Sequence, residues 1–218
     1  MELRLLAEGE DAEQAEPERT LINNRDGLAE DFDTPEQEIG KFQYDRPWES
    51  CITICNQWAW KPDDRMKALK ECLETLIRCA GGDGNLLFNI GPMPDGRIEP
   101  RQVTRLEEMG DWLKKYGESI YGTRGGPWNP VDGQYGFTSK PGKYFIHILP
   151  GYPGAEITTP SVPQKVTGCF DLFTRKPCAW TQNADGTVHI TGLNRESHPA
   201  DTVVSVATNG SSPEPLPH

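Results

Sequence analysis

Apolar positions recur at helical spacing in two stretches of this chain and form shorter continuous or alternating runs elsewhere. Met66, Leu69, Leu73, Leu76, Ile77 and Ala80 share one helical face between Asp63 and Ala80, with Asp63 or Asp64 near the start and Gly81-Gly82 as the stop. Val103, Leu106, Met109, Trp112, Leu113 and Tyr116 repeat the pattern behind Pro100, a residue suited to a first helical turn, and Gly117 ends it. Cys51 to Trp60 reads as a strand and its exit loop, where Asn56, Gln57, Trp58 and Trp60 cluster. Gly84 to Pro92 is a continuous apolar run, the pattern of a strand buried on both faces of a parallel sheet. Strand and helix in alternation predict parallel βα units, roughly three of them with the brief strand at Thr20-Leu21-Ile22, too few to close a barrel.

After Gly122-Thr123-Arg124-Gly125-Gly126-Pro127 the pattern changes. Short runs at Tyr144–Leu149, Ala155–Thr158, Lys165–Phe170, Thr187–Ile190 and Thr202–Val206 are divided by turns, and Asn183-Ala184-Asp185-Gly186 sits where a hairpin turn belongs. This half predicts an all-β module, a small sandwich. His147, His189 and His198 are scattered over it and read as surface or strand-face residues. The Ser- and Pro-rich tail from Asn209 to His218 is expected to be disordered.

Composition narrows the chemistry. The 218 residues suffice for one large domain or two ordinary ones, and 35% hydrophobic with 25% charged content is that of a globular protein. A net charge of -11 leaves no basic field for a phosphate backbone, which argues against nucleic acid and against acidic membrane surfaces. No apolar run approaches a membrane span, and the N-terminus lacks the layout of a signal peptide. The six cysteines do not form the close pairs of a zinc site, so neither metal nor cofactor is expected. Cys72 and Cys79, if on one helix, are about 10 Å apart and cannot bridge to each other.

Two carboxylates stand out. Glu49, between Trp48 and Cys51 at the head of a β-branched run, would lose hydration beside the indole, which raises a carboxyl pKa toward the range of a general acid. A Glu paired with an Arg at a strand mouth is the plainer reading. Glu36 follows Pro35 in the loop from Leu28 to Asp45 and projects from a constrained turn. Thr34 and Pro35 equally suit the cap and first position of a short helix carrying Glu36 in its first turn. Asn24-Arg25-Asp26-Gly27 ends a brief strand in polar groups, as strands do at the active face of an α/β barrel, and also as an ordinary turn does. Trp58 and Trp60 beside Asn56 and Gln57 suit a sugar ring, whose C–H face stacks on indole while its hydroxyls meet amides. The same aromatics could fill a core.

Trp48-Glu49-Ser50-Cys51, the run from Gly81 to Pro92 and Asp95-Gly96 resemble the α-L-fucosidase family of glycoside hydrolases. The resemblance continues through Arg105-Leu106, Gly110-Asp111-Trp112-Leu113 and Gly117 to Thr123, and covers most of residues 20 to 125 in order. It implies the C-terminal part of a (β/α) TIM-like barrel over residues 1–125, followed by an all-β sandwich domain over 126–208. The implied activity is retaining hydrolysis of terminal L-fucose from fucosylated glycans or oligosaccharides. The family's nucleophilic Asp lies on a strand upstream of any in this chain, so the chain is expected to be a fragment cut inside the barrel and inactive alone. The resemblance makes Glu36, slightly ahead of Glu49, the acid/base candidate. It places Arg25, with Asn24, against the substrate; Trp48 and Trp58 complete the expected sugar contacts. Family members are often extracytoplasmic. The competing expectation is a non-catalytic carbohydrate-binding fragment. Open sheet edges in residues 1–125 predict poor solubility for that part alone, whereas residues 127–208 are expected to fold by themselves.

Overall fold

A computed structural model describes residues 31–195 and 200–210. The strand expected at Thr20–Ile22, the polar cluster Asn24–Gly27, His198 and most of the tail lie outside the described residues.

The first half is built on parallel pairing. Strand β1 (Glu49–Thr53) runs parallel to β2 (Asn85–Asn89), with Glu49 opposite Asn85 and Thr53 opposite Asn89. On the other edge of β1 the segment from Asp33 to Gln37, which reads in sequence as loop, also pairs in parallel: Asp33 bridges Trp48 and Glu36 bridges Cys51. Glu49 N–H donates to Asp33 O at 2.9 Å, Cys51 N–H to Pro35 O at 2.9 Å and Gln37 N–H to Cys51 O at 2.9 Å. Pro35 fits because parallel pairing here uses its carbonyl and not the N–H it lacks.

Helix α1 (Leu69–Gly81) begins later than the periodicity predicts. Asp63 adopts φ 56°, a left-handed conformation no helix continues through. The Asp64 carboxylate holds Gln57 N–H at 2.8 Å and Arg65 N–H at 2.9 Å, and Met66 bridges back to Cys55. The helix starts instead where Glu71 Oε2 accepts the Ala68 N–H at 2.7 Å; this bond, with Arg65 nearby, holds the Glu71 carboxyl below its usual range. The helix stops through a left-handed residue that is not a glycine: Asp83 has φ 64°, and Gly84 N–H returns to Cys79 O at 2.9 Å. Helix α2 (Pro100–Tyr116) opens on Pro100 as expected and ends in a 3-10 turn at Gly117–Ser119.

The second half holds two antiparallel sheets. Strands β3 (Arg124–Gly125), β4 (Tyr135–Lys140), β5 (Lys143–Ile148), β7 (Val166–Asp171) and β10 (Thr202–Thr208) form one in the order β3-β4-β5-β10-β7; β6 (Ile157–Thr158), β8 (Ala179–Gln182) and β9 (Val188–Thr191) form the other in the order β6-β9-β8. The expected hairpin turn joins β8 to β9, with Gly186 at φ 86° and Asn183 N–H donating to Thr187 O at 2.8 Å.

The five-stranded sheet is buried on both faces. Tyr144, Ile146, Ile148, Val204 and Val206 join Ile157, Val188 and Ile190 in a core shared by the two sheets. Phe145 and Val203, on the alternate face, pack with Leu73, Ile77, Met109, Trp112 and Tyr116 of the helices. The β strands therefore share a core with α1 and α2, and β3 joins their sheet although it precedes residue 126. Of the two positions the sequence allowed, His147 takes the strand face and not the surface. It is fully buried on the helix-facing side, with Nδ1 3.3 Å from Asp201 Oδ2 and Nε2 3.4 Å from Thr138 Oγ1. Trp112 Nε1–H donates to Asp201 Oδ1 at 3.0 Å, tying α2 to the sheet.

β2 departs from the expected burial on both faces: Leu87 is 50% exposed. Its partner Cys51 shares that face, and among the described residues β1 is the only strand paired with β2.

Candidate active site

Register assigns the side chains of the parallel strands to two faces, since paired residues in a parallel ladder point the same way and neighbours alternate. Trp48, Ser50 and Ile52 face α1, where Trp48 and Ser50 are buried and Ser50 Oγ accepts Gly40 N–H at 3.1 Å. Glu49, Cys51 and Thr53, with Asn85, Leu87 and Asn89 opposite them, face away from the helix. Glu36, paired with Cys51, belongs to this second face.

Trp48 and Glu49 therefore lie back to back. The desolvation of Glu49 by the indole next to it in sequence does not arise, because strand alternation sends the two side chains to opposite faces. Trp48 is 2% exposed, and its Nε1–H donates to Gly82 O at 3.1 Å. Its ring fills a slot left by glycines: a Cβ on Gly84 would lie 2.2 Å from the indole and one on Gly40 2.5 Å from it. The structure thus gives Trp48 a largely packed position, with the ring reaching only the wall of the cleft that Glu36 also lines.

Glu49 is the first residue of β1, at the head of the β-branched run and not at the strand's C-terminal end. Glu36, opposite Cys51, stands two residues further along. Strand rise and spacing put the Cα atoms of Glu36 and Glu49 about 8 Å apart. Glu36 is exposed and lines a cleft of about 540 Å³ together with Asp33, Glu38, Lys41 and Gln43; Glu49 is not part of its lining. Arg46 Nη1 reaches Asp33 Oδ1 at 3.2 Å, and Gln43 Nε2–H donates to Asp33 Oδ2 at 3.2 Å, so the cleft wall is cross-braced.

At the C-terminal ends of β1 and β2 the chain gathers Thr53, Asn89 and the loop bearing Trp58. Asn89 Nδ2–H donates to Trp58 O at 3.0 Å, and the buried Asp64 orders the same loop through Gln57 N–H. Trp58 is 39% exposed. Gln37, which sequence reasoning passed over, donates from Nε2 to Thr53 Oγ1 at 3.0 Å and so fixes the end of the segment carrying Glu36. Its φ of 58° turns the chain away immediately after Glu36. No local sequence signal marks Gln37, since its role depends on pairing with a strand distant in sequence. Among the described residues no three His, Cys, Asp or Glu side chains converge as metal ligands do.

Comparison with known proteins identifies the family. The α-L-fucosidase family model matches residues 6–118, and the chain belongs to that family. It is 34% identical over 110 residues to the plasma α-L-fucosidase of Homo sapiens, covering 47% of this chain and 23% of that protein. A putative α-L-fucosidase of Caenorhabditis elegans is 37% identical over 89 residues, covering 38% of this chain and 18% of that one. Among solved structures, Thermotoga maritima α-fucosidase in complex with fucose superposes with a TM-score of 0.69 at 26% identity, covering 86% of this chain and 44% of the other. A Bacteroides thetaiotaomicron α-L-fucosidase shares the fold at TM-score 0.72 and 17% identity, covering 83% of this chain and 44% of that one. The chain thus spans about a quarter of the length of the curated relatives it matches and under half of the solved ones.

Proposed function

We propose that this chain forms the C-terminal part of the catalytic face of a retaining α-L-fucosidase that releases terminal L-fucose from glycans. In this reading residues 1–125 are part of a (β/α) barrel, residues 126–208 a β-sandwich packed behind it, and Glu36 is the acid/base. The observation that carries it is the position of Glu36 in an open cleft, further toward the C-terminal end of the parallel strands than Glu49. That end is where barrel enzymes hold their chemistry.

Retention requires two carboxyl groups about 5–5.5 Å apart, one attacking the anomeric carbon and the other protonating the departing oxygen, then deprotonating the incoming water. Glu36 does the second task. The nucleophilic Asp is contributed by sequence outside this chain. Asn24 and Arg25 bind fucose hydroxyls, Arg25 through a fork of donors suited to vicinal oxygens. Trp58 stacks on the C–H face of the sugar. Trp48 supports the site from behind by fixing the strand that carries Glu49.

The 218-residue chain, incubated with a nitrophenyl α-L-fucoside, is expected to bind fucose weakly and to release no nitrophenol above background. Turnover comparable to that of a complete family member would overturn the assignment of the nucleophile to sequence outside the chain.

A further inference from the structure

Cys169 on β7 and Cys178, the residue before β8, lie directly across from one another. Phe170 and Pro177 bridge the two segments, Asp171 N–H donates to Lys176 O at 3.0 Å, and Cys178 N–H donates to Cys169 O at 2.9 Å. That hydrogen-bond pattern pairs residue 169 with residue 178. Phe170 is 39% exposed and Pro177 is exposed, so by alternation both cysteines turn the other way, into the core shared by the two sheets. Opposed residues of a hydrogen-bonded antiparallel pair have Cα atoms about 5.5 Å apart, within the usual span of about 4.4–6.8 Å for a disulfide. Both thiols are free in this structure. Cys72 and Cys79 share α1 at a separation of about 10 Å, beyond the reach of a bridge.

We propose that Cys169 and Cys178 are a reversible dithiol/disulfide pair that clasps the edge strands of the two sheets to each other. The oxidant is a small-molecule disulfide such as glutathione disulfide. Cys178, 9% exposed against 1% for Cys169, is the entry point. Its thiolate attacks one sulfur of the oxidant and expels a thiolate; the Cys169 thiolate then attacks the Cys178 sulfur and expels the second. One sulfur–sulfur bond forms as one breaks, two electrons pass to the oxidant, and the two thiol protons leave with the two released thiolates. A bridge between directly opposed residues of a hydrogen-bonded pair is strained and therefore readily reduced again. Burial pushes the Cys169 thiol up to about 12 and raises that of Cys178, so little thiolate is present at neutral pH and exchange is slow.

The test uses the full chain in glutathione redox buffers, with alkylation of remaining thiols before trypsin digestion. Cleavage after Lys165, Arg175 and Arg195 puts the two cysteines in separate peptides. The expected result is one cross-linked species joining those peptides in oxidising buffer, lost on adding dithiothreitol, with free thiols falling from the six of the sequence by two. The rate should rise about tenfold per pH unit between pH 7 and 9. The melting temperature should rise by a few degrees on oxidation, and a C169S/C178S variant that is folded by circular dichroism should show no such rise. Separate glutathione adducts, a bridge to any other cysteine, or two thiols that stay reduced throughout would each overturn the proposal.

Discussion

Glu36 pairs with Cys51 in the parallel ladder, which sets it two residues nearer the C-terminal end of the sheet than Glu49. The two carboxylates share a face but not a level. Only the upper one lines the open cleft.

The contact between Trp48 and Gly84 is one of volume, since a Cβ on Gly84 would overlap the indole at 2.2 Å. Gly84→Ala is expected to cost about 1–3 kcal/mol by overpacking, and Trp48→Ala about 3–5 kcal/mol by opening a cavity. In the double variant the new methyl group occupies part of that cavity. Chemical denaturation should therefore give a combined loss smaller than the sum of the two single losses; strict additivity would deny the contact.

Asp201 is fully buried and accepts from Trp112 while facing His147. Asp201→Ala leaves two buried polar groups without their partner and is expected to cost about 3–5 kcal/mol. Trp112→Phe removes one donor and some volume and should cost about half as much. Melting curves of the two variants check the order; equal small losses would show that the bond does not hold α2 against the sheet.

Glu118 receives Lys143, Arg175 at 3.1 Å and Lys140 at 3.7 Å, joining the turn after α2 to the β strands. The Lys143 ammonium, followed by Arg175, holds its carboxyl below the usual range of about 4.5. A carboxyl depressed in the folded state stabilises the fold above its unfolded pKa, and that stabilisation disappears as pH falls through the lower folded value. Glu118→Gln should therefore lower the melting temperature by a few degrees at pH 7, about 1 kcal/mol for a part-exposed cluster, with the difference shrinking below pH 4.5. A difference that stays constant down to pH 3 would contradict this.

Much of this architecture was legible in the sequence where one local signal sufficed. Pro100 marked the start of α2, Asn183 to Gly186 marked the β8–β9 turn, and alternation marked β5 and β10. Elements that depend on partners were not. Tyr135–Lys140 carries Gly136 and Ser139, poor strand formers alone, yet becomes β4 because β3 and β5 flank it. Met66 fits a helical period but bridges Cys55, since Asp63 and Asp64 break the helix before it. Nothing local reveals that the Pro35 segment aligns beside β1, the alignment that sets Glu36 beyond Glu49 along the strands. Similarly, residues 127–208 read as a module of their own, and no local signal reveals that Phe145 and Val203 pack against the helices.

The role proposed for Glu36 is tested most directly in a full-length family member into which residues 31–125 of this chain are grafted, by comparing Glu36→Gln and Glu49→Gln on two fucosides. One has a sugar leaving group that needs protonation and the other a dinitrophenyl group that does not. Glu36→Gln is expected to lose about 10²–10⁴-fold in kcat/KM on the natural linkage, and to retain far more activity on formation of the fucosyl intermediate from the activated substrate. Glu49→Gln should affect both substrates alike and modestly. Selective loss in Glu49→Gln with Glu36→Gln near wild type would contradict the assignment.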